Sequence, residues 1–295
     1  MQTYQAQCVF DIQATLGEGP SWDATSQKLL WVDIENSLVN RFDPTTGTNE
    51  SWTVEKECSF AIATSKGDIV VGTRYGIVRL DPESGSITKV ANPDTNSETN
   101  RFNDAKCDPR GRLFAGTISD TRTPGDANCY RFDSKFNYVT VVPGVVNSNG
   151  LCWSPNQKIF YYIDTATRKV DAFDYEIETG DITNRRTVVD IPESMGIGKP
   201  DGMTIDSEGM LWTGMWGGAS VCRWNPESGE LIGKIEMPCP NVTSCCFGGE
   251  KLDRLYITTP RKGLNDDQLK QFPNAGGLFV CEPGVAGGPT FPFAG

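Results

Sequence analysis

Histidine is absent from this 295-residue chain. That removes Ser-His-Asp and Cys-His nucleophile systems, and every zinc site that needs an imidazole. A general base must then be a carboxylate, a Lys, a Tyr or metal-bound water. Basic runs are missing too. Lys and Arg number 27 against 38 Asp and Glu, a formal charge of −11, which disfavours phosphate backbones and anionic membranes as partners. No stretch approaches the ~20 apolar residues of a membrane span. Met1-Gln2-Thr3-Tyr4-Gln5-Ala6-Gln7 lacks the charged and apolar regions of a secretion signal, so the expected location is cytoplasmic. Ten cysteines are present, but none forms a Cys-x-x-Cys pair. They sit in apolar runs such as Leu151-Cys152-Trp153 and are expected to be buried free thiols. There is no Asp-x-Asp-x-Asp-Gly calcium loop.

What the chain does have is a repeat. Short β-rich runs begin at Leu30, Ile69, Leu113, Phe160, Leu211 and Leu255, on average about 45 residues apart. Each follows a turn signal such as Asp108-Pro109-Arg110-Gly111 or Asp206-Ser207-Glu208-Gly209. Several repeats also carry a second turn of one type: Asp43-Pro44-Thr45-Thr46-Gly47, Asp81-Pro82-Glu83-Ser84-Gly85 and Asn225-Pro226-Glu227-Ser228-Gly229. Units of this size with several short strands are propeller blades. The expected fold is one all-β domain over residues 1–295, a six-bladed β-propeller with four-stranded blades. A strand near Cys8-Val9-Phe10 should pair with Leu278-Phe279-Val280-Cys281, complete the last blade and close the ring. Closure leaves no free sheet edge, so a monomer is expected. Asp266–Gln271 reads as a single helical turn in a surface loop.

Counting back ten to twelve residues from each run gives Glu18, Ser59, Asn103, Asn149, Asp201 and Ser244. These should start the six inner strands and converge at one end of the axial channel. All six carry a side-chain oxygen. Hard divalent cations take carboxylate and amide oxygens, so Glu18 and Asp201 supply two charges while Asn149, with Asn103 beside it, supplies neutral donors. Glycine at Gly17-Glu18-Gly19, Asn149-Gly150 and Asp201-Gly202 lets the backbone turn sharply or a ligand approach. Arg101 precedes this position in the third repeat and offers a fork of donors to an oxygen-rich substrate. The second strands should end on the same face, rimming it with Asp33, Thr73, Thr117 to Asp120, Asp164, Met215-Trp216 and Pro260-Arg261. Trp216 is placed either to stack on a sugar ring or to pack. Ser119 to Cys129 reads as a flexible lid.

At these residues the sequence resembles the SMP-30/gluconolactonase/regucalcin group. The matching runs are Gly17-Glu18-Gly19-Pro20, Asn100-Arg101-Phe102-Asn103-Asp104, Ser148-Asn149-Gly150-Leu151, Pro200-Asp201-Gly202-Met203 and Thr243-Ser244-Cys245-Cys246-Phe247-Gly248-Gly249. Met215-Trp216-Gly217-Gly218 and Arg261-Lys262-Gly263-Leu264 look more like a pentonolactonase branch. The resemblance implies a six-bladed propeller holding one divalent metal (Ca, Zn, Mn, Mg or Fe(II)) on Glu18, Asn149 and Asp201. It implies that Arg101 and Asn103 contact a small sugar lactone. Regucalcin-like members have an acidic substrate contact where this chain has Thr121, and Asp120 just before it stands in as the candidate. The implied chemistry is hydrolysis of an aldonolactone of the glucono-1,5-lactone type, with the metal as Lewis acid and Asp201 as general base. Alternatives are a xylono- or arabinono-lactonase, an ester or organophosphate hydrolase on the same fold, a non-catalytic calcium-binding regulator, and a protein-interaction propeller.

Overall fold

The computed structural model describes residues 1–93 and 98–295. Six sheets are arranged around an axis, and the first strand of each packs against the first strand of the next, with the sixth returning to the first. These inner strands are Gly17–Asp23, Phe60–Ala63, Asn100–Cys107, Ser148–Trp153, Lys199–Ile205 and Ser244–Gly248. Within each blade every chain-consecutive strand pair is antiparallel, so the fold is the expected all-β propeller.

The repeated turns have a common cause. Asp43, Asp81 and Asn225 each accept a bond from the amide two residues on, at 2.8, 2.9 and 2.9 Å. Each turn then closes on a glycine with φ of 71° to 75°, whose N–H returns 2.8 Å to the carbonyl of that Asp or Asn. A short oxygen at the first position and a left-handed glycine at the last are what such a turn requires. Between blades lie the apolar clusters that hold the ring. Trp31, Trp212, Trp224 and Phe114 are fully buried there, each contributing about 2–3 kcal/mol by burial. All ten cysteines are free and nine of them are buried in these layers, as expected.

The ring closes as expected, with one addition. Gln7–Phe10 pairs antiparallel with Leu278–Cys281, Cys8 lying opposite Phe279, and completes the sixth blade. Gln2–Gln5 was not anticipated as a strand. It pairs in parallel with Leu231–Glu236 as a fifth strand on the fifth blade, with Tyr4 resting 6.0 Å from the ring of Trp212. The N-terminus therefore ties two blades together. Asp266–Gln271 is the single helical turn, capped by Asn265.

Candidate cation and substrate site

Four of the six inner strands break register at the expected position. In the first, third, fourth and fifth blades the ladder shifts after Glu18, Phe102, Asn149 and Pro200 respectively. The second and sixth blades, which carry Ser59 and Ser244 there, run without a shift. A bulge adds a residue to one strand and re-aims side chains at its rim. It presents Glu18, Asn103, Asn149 and Asp201 at one end of the channel. The expected convergence is thus present, and it is built by bulges rather than by plain alternation.

The glycines serve a different purpose from the one expected for two of them. Gly19 has φ of 56° and does turn the chain. Gly150 and Gly202 have ordinary φ, and their lack of a side chain admits the neighbouring inner strand. A Cβ on Gly202 would lie 2.0 Å from Ser244 Oγ, and one on Gly150 2.6 Å from Met203 Cβ.

A continuous hydrogen-bond chain links three blades. Arg101 Nη1 donates to Asn103 Oδ1 at 2.9 Å. Asn103 Nδ2 donates to Ser148 O at 2.8 Å, Asn149 Oδ1 at 3.0 Å and Asn147 Oδ1 at 3.1 Å. Asn149 Nδ2 donates to Thr165 Oγ1 at 2.8 Å, and Thr165 Oγ1 donates to Pro200 O at 2.8 Å.

The acidic groups are poorly compensated. Asn149, Asp201, Asn103 and Asp104 are buried, and Glu18 is half-buried. Among the described residues Glu18, Asp104 and Asp201 make no ion pair. Burial pushes the Glu18 carboxyl well above the usual carboxylate range, with the charges of Asp201 and Asp104 adding to it. Burial likewise raises Asp201, helped by Asp104 and opposed by Arg122, Asn149 and Arg101. Burial raises Asp104 too, with Lys106 opposing. Arg101 is pulled down by its own burial. Asp104 escaped the sequence reading because strict alternation would send it away from Asn103. The bulge keeps both near the axis.

Two carboxylates, Glu18 and Asp201, with the Asn149 amide beside them are donor types that a hard divalent cation takes. Among the described residues no group of three or more His, Cys, Asp and Glu side chains is arranged to hold a metal. A cation at Glu18 and Asp201 therefore depends on Asn149 and water for its remaining oxygens.

Several expected rim residues have structural duties. Asp33 accepts from the amides of Thr15 and Leu16 at 2.9 and 3.0 Å. Asp164 accepts from Val146 and Asn147 at 3.2 and 3.1 Å. The two stand at equivalent places and pin the chain just before Glu18 and Asn149. Asp120 pairs with Arg74 at 2.8 Å, and Arg74 also engages Glu57. The expected lid is shorter than Ser119 to Cys129, because Ser119 ends one strand and Ala127–Phe132 is already the next. The loop between them is tied by hydroxyl contacts of Thr121 to Ser119 at 2.9 Å and to Thr123 at 2.8 Å. Trp216 is half-buried and packs against the cluster around Leu16 and Val32.

The SMP-30/Gluconolactonase/LRE-like region matches residues 16–261. This chain belongs to that family. Regucalcin of Gallus gallus is 38% identical over 303 residues, covering 100% of both chains. The YvrE protein of Bacillus subtilis (strain 168), whose name assigns it provisionally as a sugar lactone lactonase, is 37% identical over 285 residues and 97% of both. Among solved structures, a luciferin-regenerating enzyme superposes with a TM-score of 0.91 at 30% identity over 99% of both chains. The family match starts one residue before Gly17 and ends at Arg261, so it takes in all six inner strands and every candidate site residue.

Proposed function

We propose that this protein is a divalent-metal-dependent sugar lactonase that hydrolyses an aldonolactone to the aldonic acid. The observation that supports it most is the pair Glu18 and Asp201, one half-buried and one buried, without a cationic partner and converging with Asn149 in the channel of a gluconolactonase-family propeller. Glu18, Asn149 and Asp201 would hold the cation. A bound cation would supply Lewis-acid polarisation of the lactone carbonyl.

The chain's own residues do the rest. Arg101 lies against Asn103 through Nη1 and would present its Nε and Nη2 donors to the ring hydroxyls of a bound lactone, with Asn103 beside it. Asp201 takes a proton from the attacking water as its oxygen bonds the carbonyl carbon. The ring C–O bond then breaks, and the proton passes to the departing ring oxygen. Asp120, fixed by Arg74, stands at the rim as a further candidate contact. No serine or cysteine nucleophile is needed, and the buried thiols are held protonated by desolvation, Cys152 being pushed up to about 12.

The test is lactone hydrolysis by EDTA-stripped protein, with glucono-1,5-lactone and xylono-1,4-lactone as substrates and each divalent metal added back. Metal-restored acid release above the spontaneous rate is the expected result, and the faster lactone assigns the hexono or pentono branch. Tight cation binding without turnover on any lactone would replace the enzyme by a calcium-binding regulator.

A further inference from the structure

We infer that Thr165 is a positioning residue that fixes the orientation of the Asn149 amide and so sets which atom a cation meets. The inference rests on the proposed cation site.

A threonine hydroxyl has one hydrogen to give. Thr165 Oγ1 lies 2.8 Å from the carbonyl oxygen of Pro200, which can only accept, so the hydroxyl hydrogen is committed there. Any other group at hydrogen-bond distance from Thr165 Oγ1 must therefore be a donor. The Asn149 atom 2.8 Å away is thus the amide nitrogen, whichever way a swapped amide might otherwise sit. The amide oxygen is left on the opposite side, toward Asn103.

That side is fixed independently. Asn103 Oδ1 accepts from Arg101 Nη1, so Asn103 turns its nitrogen toward Ser148 O and Asn149 Oδ1. Two amides that could each flip are thereby locked from both ends by groups of fixed polarity. The same hydroxyl also ties the fourth blade to Pro200, the residue before Asp201, and thus sets the spacing of two ligands at once. Thr165 itself is anchored by its amide to Asn147 O at 3.1 Å. Outer groups that orient a metal ligand typically change affinity by about 10–100-fold when removed.

The experiment is calcium and manganese titration of the full-length, EDTA-stripped protein, followed by calorimetry and by thermal shift. Thr165→Val keeps the shape and removes the hydroxyl. Thr165→Ser keeps the hydroxyl. Thr165→Val is expected to weaken cation binding about 10–100-fold, with an unchanged melting temperature in EDTA. Thr165→Ser is expected to stay within about threefold of the parent. If Val is not accommodated and the cation-free protein melts early, Thr165→Ala removes the hydroxyl without bulk and carries the same expectation. Parent-like binding by the hydroxyl-free variant overturns the inference, as does a Ser variant as weak as Val. A parent protein that binds neither cation fails the proposed cation site instead, and is distinguished by that result alone.

Discussion

The two ends of the channel treat buried carboxylates in opposite ways. At the far end, where inner strands turn back, Asp108 and Asp206 are fully buried and fully engaged. Asp108 accepts from Arg112 Nε at 2.6 Å and Tyr175 at 2.7 Å. Asp206 accepts from Trp212 Nε1 at 2.9 Å and Arg223 Nη2 at 2.6 Å. At the site end, Asp104 and Asp201 are buried and Glu18 is half-buried, all without such partners. The first arrangement satisfies each charge within the protein. The second leaves charge available to something that is not protein. A buried carboxylate by itself therefore says little, and whether protein cations or backbone amides consume its oxygens separates a structural acid from a binding one.

The largest effect expected is at Asp201. Asp201→Ala should lower kcat/KM by at least about 10³-fold, because it removes the proposed cation ligand and the proposed general base together. In EDTA the same variant should melt no earlier than the parent, since an uncompensated buried charge is lost. Near-normal turnover by Asp201→Ala would remove this residue from the chemistry. The mirror experiment is Asp206→Asn at the far end. It removes one of the two carboxylate partners of Arg223, leaving Glu208, and should cost about 1–3 kcal/mol in urea unfolding. Turnover per folded molecule should not change. If Asp206→Asn altered kcat instead, the two ends would not be independent.

The contrast also has a pH signature in the cation-free protein. Glu18 and Asp201 have folded pKa values raised above their unfolded ones, so the folded state holds more protons in that window. Their effect favours the fold at low pH and is lost as pH rises through the folded values. Glu18→Gln should flatten that part of the stability profile, weaken calcium binding about tenfold or more, and leave the far end untouched. Thermal melts in EDTA across pH 4 to 8 measure it. An unchanged profile would mean that Glu18 is better solvated than its surroundings imply.

Much of this was readable before the fold was known, for a physical reason. Blade repeats place equivalent residues at equivalent offsets, so Glu18, Asn103, Asn149 and Asp201 lined up with Ser59 and Ser244 as six oxygen carriers. The N-terminal strand at Cys8 was readable because β-residues in the last repeat needed a partner. Asp104 and Thr165 were not. A bulge breaks the alternation that sequence reading depends on, and Thr165 acts through one hydroxyl that lies outside any repeat motif. The same limit applies to Asp33 and Asp164. Ending a strand on the right face marked them as rim residues, while their carboxylates were consumed by backbone amides that no pattern reveals.

The smallest effect expected is at the rim, where the two arrangements meet. Asp120 is a carboxylate of the site face, yet it is paired in the far-end manner, with Arg74 at 2.8 Å. Its side chain is 43% exposed, and exposed pairs are worth about 1 kcal/mol or less. If Asp120 serves mainly to hold Arg74, Asp120→Asn should change KM by less than about threefold, with kcat and calcium affinity unchanged. A tenfold rise in KM at unchanged calcium affinity would make Asp120 a direct contact to the sugar, released from Arg74 when substrate binds. Measuring KM for both lactones separates these outcomes, because a lost sugar hydroxyl contact should weigh unequally on hexono and pentono rings, whereas a loosened Arg74 should affect both alike.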